Sequence, residues 1–280
     1  MRTFSFEFFP PKDEIAAVDF GINIGTLLHL SPSFVTVTYG AGGSDRTRTF
    51  ALVDYLQNKV GLKTVAHYTC VESSREQIKA DLALLRDLGI DRFMLLRGDP
   101  QKGFDRFQRP RDGFTYASEL IAFVRSLYGD EVTIGGGAYP EKHPETTSLE
   151  EDLRHLKAKV DAGCDFLITQ FFFDNRCYFD FVSRARAAGI GCPIIPGILP
   201  ITHYHQLARF VGISGSYLPH SFLQELESNK TIPRKIAQIG RDYAIAQCRD
   251  LLVSGAPGIH FYTLNKSRAT VEIFESLLGA

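Results

Sequence analysis

The chain has no C-x-x-C pair; its five cysteines, Cys70, Cys164, Cys177, Cys192 and Cys248, are scattered singly. An odd number without spacing excludes a complete disulfide framework and a finger-type zinc site, and reads as the reduced thiols of a cytosolic protein. Neither sign of charge dominates, with 31 Lys and Arg against 32 Asp and Glu. That balance argues against nucleic acid or an anionic membrane as the main partner. No apolar run reaches membrane-spanning length, and no charged lead followed by an apolar stretch opens the chain, so a soluble, cytoplasmic protein is expected. Linkers, repeats and low-complexity tracts are also missing, and one domain over residues 1–280 is expected. Two glycine-rich stretches, Tyr39-Gly-Ala-Gly-Gly43 and Gly135-Gly-Gly137, match neither the G-x-G-x-x-G nor the Walker pattern, so a nucleotide here would be held by other loops. His203-Tyr-His205 lacks a third ligand at metal spacing and reads as a solvated helix start; no metal is expected.

What the chain does have is a regular alternation of short apolar runs and longer amphipathic ones. Strands are expected near residues 3–9, 33–39, 63–69, 91–97, 131–138, 165–171, 192–198 and 258–263. Helices are expected over 15–30, 46–60, 74–88, 116–128 and 148–162. Ser148 followed by Glu151 predicts a capping box at the last of these. Residues 213–254 exceed what one barrel helix needs. The expected fold is therefore α/β, a single (β/α)8 barrel of the TIM type with extra helices between strands 7 and 8.

The first strand, Thr3-Phe-Ser-Phe-Glu-Phe-Phe-Pro-Pro-Lys12, sets Phe4, Phe6 and Phe8 on one face and Ser5, Glu7 and Phe9 on the other, until Pro10 and Pro11 end the ladder. A carboxylate at Glu7 among phenylalanines is either kept protonated, as a general acid requires, or paired with an arginine elsewhere; the strand alone leaves both open. Polar groups recur at the other strand ends: Thr38, His67 with Thr69, Arg97 with Asp99, Tyr139, Gln170, and Tyr262 with Asn265. In a barrel of this kind the active site lies at that end. Arg97 and Asp99, two apart, would face the same side if strand geometry continued, and the pair reads either as an aspartate held ionised beside the acid or as a structural ion pair. The Gln170 carboxamide suits the edge of a heterocycle such as a pterin, or caps backbone groups. Lys159, on a helix, reads as a phosphate partner or a surface charge.

Several of these stretches together resemble the methylenetetrahydrofolate reductase family: Ser5-Phe-Glu-Phe-Phe-Pro-Pro-Lys12, Val37-Thr-Tyr-Gly-Ala41, Leu96-Arg-Gly-Asp-Pro100, Ala138-Tyr-Pro-Glu-Lys-His-Pro144, Lys159-Val-Asp-Ala-Gly163, Ile168-Thr-Gln-Phe-Phe-Phe-Asp174, Ile195-Pro-Gly-Ile-Leu-Pro200 and His260-Phe-Tyr-Thr-Leu-Asn265. They occur in the family's order over essentially the whole chain. The resemblance implies a catalytic barrel carrying FAD that reduces 5,10-methylenetetrahydrofolate to 5-methyltetrahydrofolate with NADH or NADPH, by ping-pong hydride transfer through the flavin. It further implies a homo-oligomer and the short bacterial form without a regulatory C-terminal domain. By resemblance Glu7 is the general acid that protonates N10 of the folate, and Asp99 is the carboxylate near flavin and pterin. The residues matching the family's FAD contacts are Thr38, Tyr39, Ala41, His67, Arg97, Gly98, Asp99, Tyr116, Ala117, Tyr139, His143, Thr146, Asp152, His155, Ala158 and Lys159. Those matching its substrate contacts are Asp99, Gln170, Gln206, Phe210 and Lys266. The family often has arginine after Thr263-Leu-Asn265, where this chain has Lys266-Ser-Arg268, so the contact to the substrate's tail is open between Lys266 and Arg268. Two other classes compete: a flavin-free barrel lyase, and a non-catalytic flavin- or folate-binding subunit, which has no need of the acid.

Overall fold

In the computed structural model, which describes residues 2–39, 46–100, 103–104 and 107–278, Thr3–Phe8 forms a strand, β1, with a parallel neighbour on each side. Its period-two pattern sorts the side chains. Phe6 and Phe8 turn outward into the helix layer, Phe8 edge-on to Phe20 at 5.4 Å and Phe6 edge-on to Phe274 at 6.4 Å between ring centroids. Ser5 and Glu7 turn inward and are buried. The ladder stops at Phe8, where Pro10 and Pro11 have no N–H to offer.

The remaining strands are β2 (Phe34–Val37), β3 (Thr64–Thr69), β4 (Arg92–Leu96), β5 (Thr133–Ala138), β6 (Phe166–Thr169), β7 (Ile194–Ile195), β8 (Gly197–Ile198) and β9 (Gly258–Tyr262). All pair in parallel, in the order β7-β6-β5-β4-β3-β2-β1-β9-β8. The seventh strand, expected to run unbroken over 192–198, is split at Pro196. Proline donates no ladder bond, but its carbonyl accepts from the His260 N–H at 2.9 Å. One half then pairs with β6 and the other with β9, which closes eight staves into a barrel. Gly197 permits the closure: a Cβ there would lie 2.3 Å from the Thr169 carbonyl oxygen and 2.5 Å from the Tyr262 ring.

Helices α1 (Glu14–Leu28), α2 (Arg46–Asp54), α3 (Arg75–Asp87), α4 (Ala117–Tyr128), α5 (Leu149–Asp161) and α6 (Asn175–Ala187) follow successive strands. Helix α2 runs on as a π-helical turn over Tyr55–Lys59. The expected surplus between the last two staves is three helices, α7 (Tyr204–Ser214), α8 (His220–Ser228) and α9 (Pro233–Val253), and α10 (Arg268–Leu278) follows β9. Ser74 and Ser148 cap α3 and α5, accepting from Gln77 N and Glu151 N. The capping box at α5 is only half formed, because the Glu151 carboxylate accepts from Thr147 N and Oγ1 instead of from the cap residue's own N–H. His203 precedes α7 as its N-cap residue.

Beside an apolar cluster that joins Phe171, Phe173, Leu207, Phe222 and Ile236, two apolar layers result. The larger lies between staves and helices and holds Val35, Phe93, Ile134 and Ile259 against Leu82, Leu85, Val124 and Leu251. The smaller fills the barrel, where Val65, Met94, Ile168 and Ile195 meet Phe34, Leu96 and Phe166. Gly135 belongs to this plug, since a Cβ there would meet the Phe166 ring at 2.5 Å. The plug sits one layer toward the strand N-termini from His67 and Gln170, and so makes a floor for whatever the strand C-termini hold.

Candidate active site

Above that floor a cleft of about 1010 Å3 opens at the C-terminal ends of the staves. Glu7, Thr38, Tyr39, His67, Arg97, Gly98, Asp99, Tyr116, Ala117, Tyr139, His143, Thr146, Asp152, His155, Lys159, Gln170 and Phe210 all line it. Ala158, Gln206 and Lys266 do not line it, and each is exposed to solvent. Ala41 lies outside the described residues.

Glu7 stands where β1 places it, inside the mouth of the barrel. Its ion-pair contacts among the described residues are two imidazoles, His67 Nε2 at 3.8 Å and His260 Nε2 at 4.0 Å from its Oε2. Among the described residues no arginine pairs with it. Burial pulls His67 down from 6.5 to about 4, outweighing the attraction of Glu7, so this imidazole is neutral at pH 7. Among the described residues, His67 Nε2 is also buried without a hydrogen-bond partner, as are the hydroxyls of Thr36 and Thr69. His260 is tied at its other nitrogen, Nδ1, to Ser5 Oγ at 2.8 Å. Tyr262 completes this wall, edge-on to His260, its hydroxyl donating to the Thr169 carbonyl at 2.8 Å.

The expected pairing of Arg97 with Asp99 is replaced by another. Strand β4 ends at Leu96, and Gly98, with φ of 90°, turns the chain so that alternation no longer relates residues 97 and 99. Arg97 instead grips Glu145 through both terminal nitrogens, at 2.7 and 2.6 Å, with its guanidinium over the Phe107 ring. Glu145 is the main cause of the raised Arg97 pKa; Asp99 contributes least.

Beyond this pair the β4–β5 side of the cleft is rich in donors and rings. Tyr139 meets His143 edge-on, and burial followed by the negative charge of Asp99 pushes its phenol up to about 12. His143 is lowered, by desolvation and then by Arg97. Its backbone N–H donates to Asp152 Oδ1 at 3.1 Å. Tyr116 stacks on His155 at 5.2 Å. Lys159, half-buried and not the surface charge that its helix pattern allowed, turns its ammonium inward to the Gly137 carbonyl, and loss of hydration lowers its pKa. Gln170 spends one carboxamide atom, Oε1, on the N–H of Phe171 at 3.2 Å; the backbone-capping reading thus holds for half of the group.

Glu7 thus shares the cleft with a second carboxylate, Asp99, and with the Gln170 carboxamide, and among the described residues its ion-pair contacts include no permanent cation. The family model for methylenetetrahydrofolate reductase matches residues 1–278. The chain belongs to the methylenetetrahydrofolate reductase family. A 5,10-methylenetetrahydrofolate reductase of Pectobacterium carotovorum subsp. carotovorum is 35% identical over 274 residues, covering 98% of this chain and 89% of that protein. Methylenetetrahydrofolate reductase (NADH) 1 of Arabidopsis thaliana is 36% identical over 283 residues, covering 98% of this chain and 48% of the relative. The chain thus spans about half the length of the plant relative. Among solved structures, an uncharacterized protein from Clostridium thermocellum described as binding two copies of 5-methyl-5,6,7,8-tetrahydrofolic acid superposes with a TM-score of 0.65 at 15% identity, covering 98% of this chain and 93% of that one. At such identity the likeness bears on the fold.

Within this reductase-family barrel, the sequence reading passed over Glu145 and His260 as site groups. For His260 the signal was present, because Gly258, His260 and Tyr262 alternate onto the inward face of β9. For Glu145, on an irregular loop, no periodicity points anywhere. Asn265, grouped with the reactive strand ends, instead clamps the chain: its carboxamide accepts from Phe9 N and donates to Phe9 O.

Proposed function

We propose that this chain reduces 5,10-methylenetetrahydrofolate to 5-methyltetrahydrofolate with hydride drawn from NADH or NADPH. The observation that carries the reading is Glu7, an acid set at the foot of a strand-end cleft whose only charge-capable neighbours among the described residues are imidazoles. Membership of the reductase family supports it, as does the folate that the Clostridium thermocellum neighbour binds. FAD, when bound, would relay hydride from the nicotinamide to the folate.

The residues present fit such a dinucleotide. The cleft volume lies at the upper end for small-molecule sites. Arg97, His143 and Lys159 gather on one side, where the pyrophosphate and ribose hydroxyls need donors. The Nε2 of His67 and the hydroxyl of Thr69, without hydrogen-bond partners among the described residues, belong to residues that line the same space. Gly98 keeps its own wall thin, since a Cβ there would meet Thr69 at 3.1 Å.

In the folate reaction, Glu7 gives its proton to N10, breaking the bond that closes the five-membered ring. Asp99 sets a negative charge against the iminium cation that opens. Gln170 holds the edge of the pterin with the part of its carboxamide left free. Tyr262 and Phe210 wall the ring off from water.

An anaerobic absorbance titration tests this. Protein loaded with FAD should bleach on adding NADH or NADPH and recover its colour on adding methylenetetrahydrofolate. A protein that stays colourless when FAD is supplied, or that bleaches but never recovers with the folate, overturns the reading.

A further inference from the structure

Helix α7 brings Phe210 to the cleft, although its first turn has no side-chain cap. Its C-terminal end is tied down instead. Gly215, with φ of 68°, ends the helix in the left-handed conformation and donates to the Val211 carbonyl at 2.8 Å. The chain then turns through a knot of serines. Ser214 Oγ donates to the Phe210 carbonyl at 2.9 Å and accepts from Ser216 N at 3.1 Å, and Ser216 Oγ donates to the Phe171 carbonyl, just beyond β6, at 2.9 Å. One residue further, the N–H of Tyr217 donates to Glu141 Oε1 at 2.7 Å across 76 positions.

Glu141 belongs to the other side of the cleft. It lies between Tyr139 and His143 on the loop from β5 to α5, and both of those residues line the cleft. Tyr139-Pro-Glu-Lys142 is a tight turn closed by Lys142 N on the Tyr139 carbonyl at 3.2 Å, with proline where its fixed φ suits the first corner. Lys142, at φ of 75°, sends its ammonium to the Thr146 carbonyl at 2.8 Å. These bonds pin the loop without calling on the Glu141 carboxylate, which reaches across to the chain after α7. Glu141 is half-buried; burial raises its pKa, while the Tyr217 N–H and the Cys177 and Ser216 side chains beside it act the other way.

We infer that Glu141 is a positioning residue for the folate half of the reaction: it latches the C-terminal end of α7 to the loop of Tyr139 and His143, and so holds Phe210 in the wall of the cleft. The inference rests on the proposed folate reduction. The latch acts through packing. Phe210 meets Phe171 edge-on at 6.1 Å, Phe171 meets Tyr262 edge-on at 6.0 Å, and Gln170 Oε1 accepts from the Phe171 N–H. A shift of α7 therefore reaches the aromatic wall and the carboxamide, while the β4–β5 side, proposed for FAD, keeps its own bonds.

Hydrogen exchange and steady-state kinetics together test the latch, on the unaltered protein, Glu141→Gln, Glu141→Ala, Ser216→Ala, Phe210→Ala, and Glu141→Ala combined with Phe210→Ala. Glu141→Ala should speed amide exchange over residues 204–217 and leave residues 139–148 slow. It should raise the KM for methylenetetrahydrofolate by about tenfold, the size expected for a hydrogen bond to a charged group, while the FAD Kd stays within about twofold. Glu141→Gln, which keeps an acceptor for the Tyr217 N–H, should restore most of the affinity. Ser216→Ala cuts the neighbouring tie and should show the same pattern more weakly; it carries the test if Glu141→Ala does not fold. In the Phe210→Ala background, Glu141→Ala should add little to the folate KM, because the latch works through that ring. A glutamate with a structural role alone would weaken FAD and folate together and add in full to Phe210→Ala, and that result overturns the inference. So does unchanged exchange over α7, or faster exchange with an unaltered folate KM. If the folate never reoxidises the flavin of the unaltered protein, the folate reading itself fails and takes the positioning role of Glu141 with it.

Discussion

Two imidazoles beside Glu7, one of them neutral, are its ion-pair contacts among the described residues, and this makes its proposed role separable by substitution. Glu7→Gln keeps the shape and a hydrogen-bond donor but carries no transferable proton. Bleaching by NAD(P)H should survive in that variant, while recovery by the folate should slow by about 10²- to 10⁴-fold, which stopped-flow absorbance of the two half-reactions will show. Normal folate turnover would remove Glu7 from the chemistry. His67 makes a different prediction. In the unfolded chain its imidazole takes up a proton below about pH 6.5, whereas burial holds it neutral in the folded protein down to about 4. The stability this group contributes is therefore complete above pH 6.5 and is lost as the pH falls toward 4, by roughly 2 kcal/mol at pH 5. Urea midpoints at pH 7 and pH 5 should drop apart in the unaltered protein and lie closer together in His67→Gln; equal gaps in both would reject the account. At this scale the sequence was legible wherever alternation operates. Glu7 and His67 follow from period two on β1 and β3, whereas the Arg97–Glu145 pair depends on a glycine turn and an irregular loop that no local pattern reports.

Among the elements, contrasting glycines separate packing from propensity. Gly25 lies inside α1 with open space where a side chain would project, and so nothing offsets its cost in helix entropy. Gly25→Ala should raise stability by about 0.5–1 kcal/mol. Gly197, between the halves of the split stave, has the Thr169 carbonyl oxygen and the Tyr262 ring within 2.5 Å of a notional Cβ. Gly197→Ala should cost on the order of 2–3 kcal/mol and shift Tyr262, which thermal melts and the ability to bind FAD will report together. An unperturbed Gly197→Ala protein would mean that the wall can yield. The helices and staves were largely readable from their apolar spacing and from cap residues such as Ser74. The split at Pro196 was not, because proline in a short apolar run says only that one ladder bond is missing, not which neighbour each half will choose.

For the molecule as a whole, a cleft of about 1010 Å3 at the open end of the barrel couples ligand to fold. FAD at a hundred times its Kd should add about 2.7 kcal/mol, raising Tm by roughly 5–10 °C, and stripping the flavin should reverse the shift in a melt followed by fluorescence. A cofactor-independent Tm would mean that FAD binds elsewhere or not at all. The alternation of strand and helix made the barrel legible, but its closure joins residues far apart in the chain. The Thr263 hydroxyl donates to the Glu7 carbonyl at 2.6 Å across 256 positions, and β1 takes β9 as its second neighbour. The strand that bears the acid is thus made among the first residues on the ribosome, yet waits for almost the last before its second edge is covered. A product of interrupted translation that ends before residue 258 would carry Glu7 on an open strand edge, with half a catalytic wall and a surface ready to pair with other chains. Closure of the barrel and completion of the wall around Glu7 are thus one and the same step.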